Sequence, residues 1–227
     1  MKYFIQNPEI EQTLKEIRRK IRLSMNGVVS DTMKEMGVVY KQNYGVQIPR
    51  LKEIATHYSP NHDLAQRLWA LKIRETMILA TLIQPVDKFT EKVAEDWLGD
   101  IHQIELVEQA CMNLFSKLPY AAGWGVKCIF TENSWTQIVG FTLIARIREQ
   151  INADQTKEIT ERAAALLDTD NFHLYKSIAV CLARLCRNGK DFSEIILSKL
   201  EIKEYSEKES YRYTLAEIKQ EMSFLDF

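Results

Sequence analysis

LWALKIRETMILATLI, residues 68–83, decides the fold. A mixed helical run at about 62–71 leads into ETMILATLI (75–83), an apolar helix with no period-two alternation. The same texture returns in LVEQACMNLF (106–115), VGFTLIARI (139–147) and KSIAVCLARLC (176–186), with more polar helices between. A spacing of about 30 to 40 residues is the period of helix-pair repeats. The pattern predicts an all-α fold, a curved solenoid of about six antiparallel helix pairs with residues 1–227 as a single domain. A compact bundle without repeats is the alternative.

The rest of the chain agrees. Helices are expected at about 9–26, 29–36, 49–55, 62–71, 73–84, 87–98, 102–117, 119–130, 134–149, 154–167, 170–187, 190–201 and 207–224, divided by Gly27, Gly37, Pro60, Pro85, Gly99, Pro119, Asn133, Asp154, Asp168 and Gly189. Ile10, Leu14, Ile17, Ile21 and Met25 make one apolar stripe on the first helix. Between Gly45 and Pro49 the chain reads as a loop entering a helix. Ile48 is pushed from the α region by the ring that follows, and Pro49 suits a first turn. Only 8 Gly and 5 Pro in 227 residues disfavour a turn-dense β sandwich.

Charge excludes little but narrows the search. Thirty bases against 31 acids give a net charge of −1, so any polyanion site must be a local patch. Cysteines 111, 128, 181 and 186 lie in apolar helical patterns without C-x-x-C spacing, which reads as buried thiols in a reducing compartment. The N-terminus MKYFIQNPEIEQ shows no leader-like apolar core, and no apolar run is long enough to span a membrane, so a cytoplasmic protein is expected.

No known catalytic or metal motif stands out. His57, His62, His102 and His173 are scattered, no Cys/His cluster has zinc spacing, and no phosphate-binding or nucleophile-elbow motif occurs, so neither metal nor cofactor is expected. GWGVKC (123–128) reads as helix. Three of Trp69, Trp97, Trp124 and Trp135 are expected to be structural. The run Arg18, Arg19, Lys20, Arg22 reads as a solvated helix face. Arg74, Arg146, Lys176 and Arg184 lie on or beside the apolar helices that would line the inner face of a solenoid, where they would form a groove for a polyanion. Interhelical ion pairs, with Glu75 or Asp168 for example, are the alternative.

A resemblance sharpens these readings. NYGVQIPRLKEIA (43–55) resembles the Y-G-V-x-x-P-x-L-R-x-[IL]-A segment of AlkD-type alkylpurine DNA glycosylases, in the HEAT-like repeat DNA alkylation repair superfamily. LWALKIRETMILATLI looks like the family's L-W-x(4)-R-E run, and the resemblance extends over about residues 10–200. It implies HEAT-like helix pairs bent into a C shape whose concave face holds duplex DNA. The family's chemistry is removal of cationic alkylated purines, with a carboxylate steadying the oxocarbenium-like sugar and aromatic rings holding lesion and sugar. IELVE (104–108) matches the family's W-D-x-V-D type segment, with Ile104 at the aromatic position and Glu108 at the carboxylate. KSIAVCLAR (176–184) matches K-A-I-G-W-A-L-R, with Val180 at the tryptophan position. Three readings follow: a diverged member that binds DNA without efficient excision, an active glycosylase using Glu108, or a protein-interaction scaffold that binds its partner on the concave face.

Overall fold

The structure, a computed structural model, describes residues 7–200 and 207–225. Residues 1–6 of the segment read for a leader lie outside the described residues. Thirteen α-helices and no strand occur among the described residues, with one isolated parallel bridge between Gln42 and Ile73. They are α1 (Pro8–Leu23), α2 (Gly27–Glu35), α3 (Ile48–Ala55), α4 (His62–Ala70), α5 (Arg74–Ile83), α6 (Glu91–Leu98), α7 (Ile104–Asn113), α8 (Ala121–Ile129), α9 (Ser134–Arg146), α10 (Ala153–Leu166), α11 (Phe172–Cys186), α12 (Lys190–Leu200) and α13 (Glu209–Met222). The chain divides into two compact units, one ending at Leu118 and the other beginning at Pro119.

Asparagine starts many of these helices. Asn7, Asn26, Asn61, Asn133, Asn152 and Asn171 each take an extended backbone, and each side chain accepts N–H bonds from the first turn. Those N–H groups have no partner inside the helix, so the cap removes an unpaired donor. Asn26 also corrects one expectation. Gly27 does not stop the first helix; α1 ends at Leu23 and Gly27 opens α2. Ile48 is helical despite Pro49, because the Leu51 N–H bonds to the Gln47 carbonyl and closes the turn one residue early. The helix expected over 87–98 is broken at Phe89, which is buried, and Thr90 caps α6 instead. The one expected over 102–117 ends at Asn113, where the chain turns Leu114 and Phe115 into the core.

In the first unit α5 packs between α3 and α7 and against α4, while α4 also touches α1. Nine of the ten α5 residues are buried, which is why its sequence is apolar on almost every side. Trp69 of α4 and Trp97 of α6 stack with centroids 3.9 Å apart, and their indole N–H groups donate to Asp100 and Gln66. Those two bonds, and those from Tyr44 to Glu75 and from Arg74 to Glu105, all join residues 31 apart. The repeat that the apolar texture suggested is thus written into the polar contacts as well.

In the second unit α9, α11 and α13 lie side by side, with α11 in the middle, and α8, α10 and α12 back them. Gly140 of α9 permits the contact with α8: a Cβ there would lie 2.7 Å from the Ile129 side chain and 2.9 Å from the Gly125 carbonyl. Within GWGVKC, Gly125 faces α9, where a Cβ would lie 3.3 Å from the Ile144 side chain, whereas a Cβ at Gly123 would meet nothing within 4 Å.

Candidate nucleic-acid interface

The Y-G-V and R-E motifs meet in a buried clasp. The Glu75 side chain, fully buried, accepts the Tyr44 N–H at 3.1 and 3.2 Å and the Val46 N–H at 3.2 Å. Arg74, 3% exposed, donates to Glu75 at 3.0 Å and to the Val46 carbonyl at 2.8 Å. It forks onto Glu105 of α7 at 2.7 and 2.6 Å. Burial works against the Arg74 cation, but Glu105 and Glu75 outweigh it and raise its pKa above the ordinary value. Gly45 sits between the bonded amides at φ +69°, and a Cβ there would fall 2.1 Å from the Asn26 carbonyl oxygen. Burial, with the Glu105 charge behind it, pushes the Tyr40 phenol well above its usual range, and the Tyr40 hydroxyl donates to Glu105 at 3.4 Å.

Arg74 therefore does not stand at a surface that could meet phosphate. Its guanidinium is spent on internal carboxylates, with Glu75 among them, and its expected place in a polyanion groove is corrected.

Glu108 projects from the exposed side of α7, with half-buried Ile104 and Met112 one turn to either side. No hydrogen bond or ion pair holds its carboxylate among the described residues. A solvated carboxylate without a hydrogen bond among the described residues has nothing to fix its orientation, and its neighbours one turn away on α7 are not aromatic. Its neighbour Glu105, by contrast, is committed to Arg74.

Arg146, Lys176 and Arg184 fare differently. All three are exposed, on adjacent helices of one unit, and no carboxylate of the described residues pairs with them. Lys176 and Arg184 share one side of α11, two turns apart, with half-buried Val180 between them. Arg146 and Arg184 each occupy the last turn of their helix. Asp168 pairs with Lys208 at 3.0 Å instead. The Lys176 ammonium lies 5.5 Å from the centre of the Phe172 ring.

A feature missed in the sequence lies beside these cations. Trp69, Trp97 and Trp124 are buried, whereas Trp135 is half-exposed in the first turn of α9. Its ring stands 5.9 Å from that of His173, which continues through Phe172 (5.8 Å) to Tyr213 of α13 (6.4 Å). The signal was present in NSW (133–135) and NFH (171–173), where a capping asparagine precedes aromatic residues in successive repeats. Among the described residues no group of three or more His, Cys, Asp or Glu side chains is placed to hold a metal ion, and no helix is long and apolar enough to cross a membrane.

Comparison with known proteins agrees with this architecture. The family model described as DNA alkylation repair enzyme matches residues 17–215. A solved structure, described as "A new family of proteins related to the HEAT-like repeat DNA glycosylases with affinity for branched DNA structures", shares the fold with a TM-score of 0.73. The match covers 91% of this chain and 94% of that one, at 13% identity. No curated protein matches.

Proposed function

The chain belongs to the DNA alkylation repair enzyme family, and on that premise we propose that it binds duplex DNA without efficiently excising bases. The binding surface in this reading is the exposed side of α9 and α11. The observation that carries this reading is the set of Arg146, Lys176 and Arg184, exposed and free of carboxylate partners among the described residues. Cations held this way can exchange counterions with a phosphate backbone, whereas a cation tied up as Arg74 is cannot. The chain's net charge of −1 makes such a patch a local attraction and not a global one.

Excision is a separate matter. The positions matched to the family's aromatic clamp hold Ile104 and Val180, and the Glu108 carboxylate is solvated. Cation–π contacts worth about 1 to 2 kcal/mol each are absent there, and an acid without fixed geometry forfeits most of its rate advantage. Active excision through Glu108 is the rival reading, because that carboxylate is exposed and unengaged.

The test is affinity for a blunt duplex, with a branched junction beside it because the compared protein has affinity for branched DNA. Charge reversal by Lys176→Glu with Arg184→Glu is expected to weaken binding at least about tenfold. Unchanged affinity in that double variant overturns the assignment of the surface.

A further inference from the structure

Exposed apolar side chains gather at one place in the unit that ends at Leu118. Leu23, Met25, Val28, Met36 and Val39 all stand in solvent, and α2 buries none of its residues. Leu23 is 76% exposed, Met25 66% and Val28 77%. A row of cations leads up to them. Lys15, Arg18, Arg19 and Arg22 share one side of α1, at spacings of three and four, away from the buried Leu14, Ile17 and Ile21. All four are exposed, and no carboxylate of the described residues pairs with them. We propose that this elbow between α1 and α2 docks an acidic and apolar peptide segment of a partner protein. Its acids meet the row on α1, and its apolar side chains cover Leu23, Met25 and Val28.

Charge complementarity selects the occupant. The acids of α1 do not complete the row. Glu11 pairs with Arg67 of α4, and Glu16 accepts from the Gln12 amide at 3.3 Å. Glu9 and Glu16 lie with Lys20 on the neighbouring side of the helix, where the Lys20 ammonium stands 4.8 Å from the centre of the Tyr58 ring. Arg50, bonded to the Ser24 hydroxyl at 3.1 Å, is paired with Glu53. The helix dipole favours a cation in the last turn, such as Arg22, but does nothing for Lys15. Two other anions fit less well. Val28, Asp31 and Glu35 share one exposed side of α2, with Lys34 on its flank. An anionic bilayer that took up Val28 would take Asp31 and Glu35 with it. A phosphate backbone running on past Leu23 would meet the same two acids. A peptide can put acids on the row and apolar groups beyond it. The row is about 10 Å long, and Leu23 to Val28 adds at most about 18 Å. An extended peptide of about eight to ten residues spans both.

The experiment follows the fluorescence anisotropy of a labelled synthetic peptide of about ten residues, titrated with the full chain. Glutamates fill one half of it, leucines and phenylalanines the other, and it is made in both orders. Two controls replace the glutamates by lysine or the apolar half by serine. The acidic and apolar peptide is expected to bind at least about tenfold more tightly than either control. Arg18→Glu with Arg22→Glu should weaken it at least about tenfold, and Leu23→Ser with Met25→Ser about fivefold or more. These four positions are exposed, so the variants keep the fold. Binding to a blunt duplex and to phosphatidylglycerol vesicles, measured beside it, should be the same in parent and variants. Control peptides that bind as well, or variants that hold the peptide as the parent does, overturn the docking surface. Loss of duplex or vesicle binding in Arg18→Glu with Arg22→Glu also overturns it, because the row then serves phosphate. The DNA-binding reading on α9 and α11 is tested by other residues and stands or falls separately.

Discussion

Replacing Glu75 by glutamine tests whether the family's sequence signature is a folding device. The substitution keeps the volume and removes the charge. In the parent, Tyr44 N–H, Val46 N–H and the Arg74 guanidinium all converge on this carboxylate. An amide offers one accepting oxygen and turns two donors toward a site that supplies only donors. Arg74, 3% exposed, is left with Glu105 as its one anionic partner among the described residues. Breaking a buried pair in this way costs about 3 to 5 kcal/mol. At about 2 to 4 °C per kcal/mol for a chain of this size, the melting temperature falls by roughly 6 to 20 °C. Urea unfolding gives the free energy, and hydrogen exchange at the Tyr44 and Val46 amides gives the location. A loss below about 1 kcal/mol, or protection unchanged at those two amides, refutes the reasoning.

Other expectations follow from the same contacts. Gly45→Ala puts a Cβ into the Asn26 carbonyl at a positive φ, and should cost about 3 kcal/mol or more in urea unfolding. Tyr40 keeps its proton more firmly folded than unfolded, so its contribution is intact below its ordinary pKa of 10.0 and is lost as pH rises above it. Alkaline unfolding should therefore begin at higher pH in Tyr40→Phe. Alkylated duplex incubated with the protein should release 3-methyladenine and 7-methylguanine at the spontaneous rate. Faster release that Glu108→Gln abolishes would instead establish the glycosylase reading.

The sequence made the helices and their period legible because both are written in short-range patterns. Apolar runs such as ETMILATLI mark helices enclosed by neighbours, and the capping asparagines mark their starts. The clasp was legible only as a resemblance. Y-G-V and R-E lie about 30 residues apart, and nothing local says that the Glu75 carboxylate folds back onto the Tyr44 and Val46 amides. For the same reason Arg74 looked like its exposed counterparts, since its burial depends on the Glu105 carboxylate and the Val46 carbonyl, both distant in the chain. Trp135 went unseen as a site residue because helical spacing does not distinguish a half-exposed first-turn ring from a core ring. The absence of an aromatic at positions 104 and 180 was visible at once, since it needs only identity and alignment.

How affinity for a blunt duplex depends on salt puts these ideas at greatest risk. If Arg146, Lys176 and Arg184 each displace one counterion, log K falls against log salt with a slope of about −3. Charge reversal at Lys176 and Arg184 should flatten it to about −1. A flat response in the parent, or the same slope in both proteins, contradicts the placement of DNA on α9 and α11.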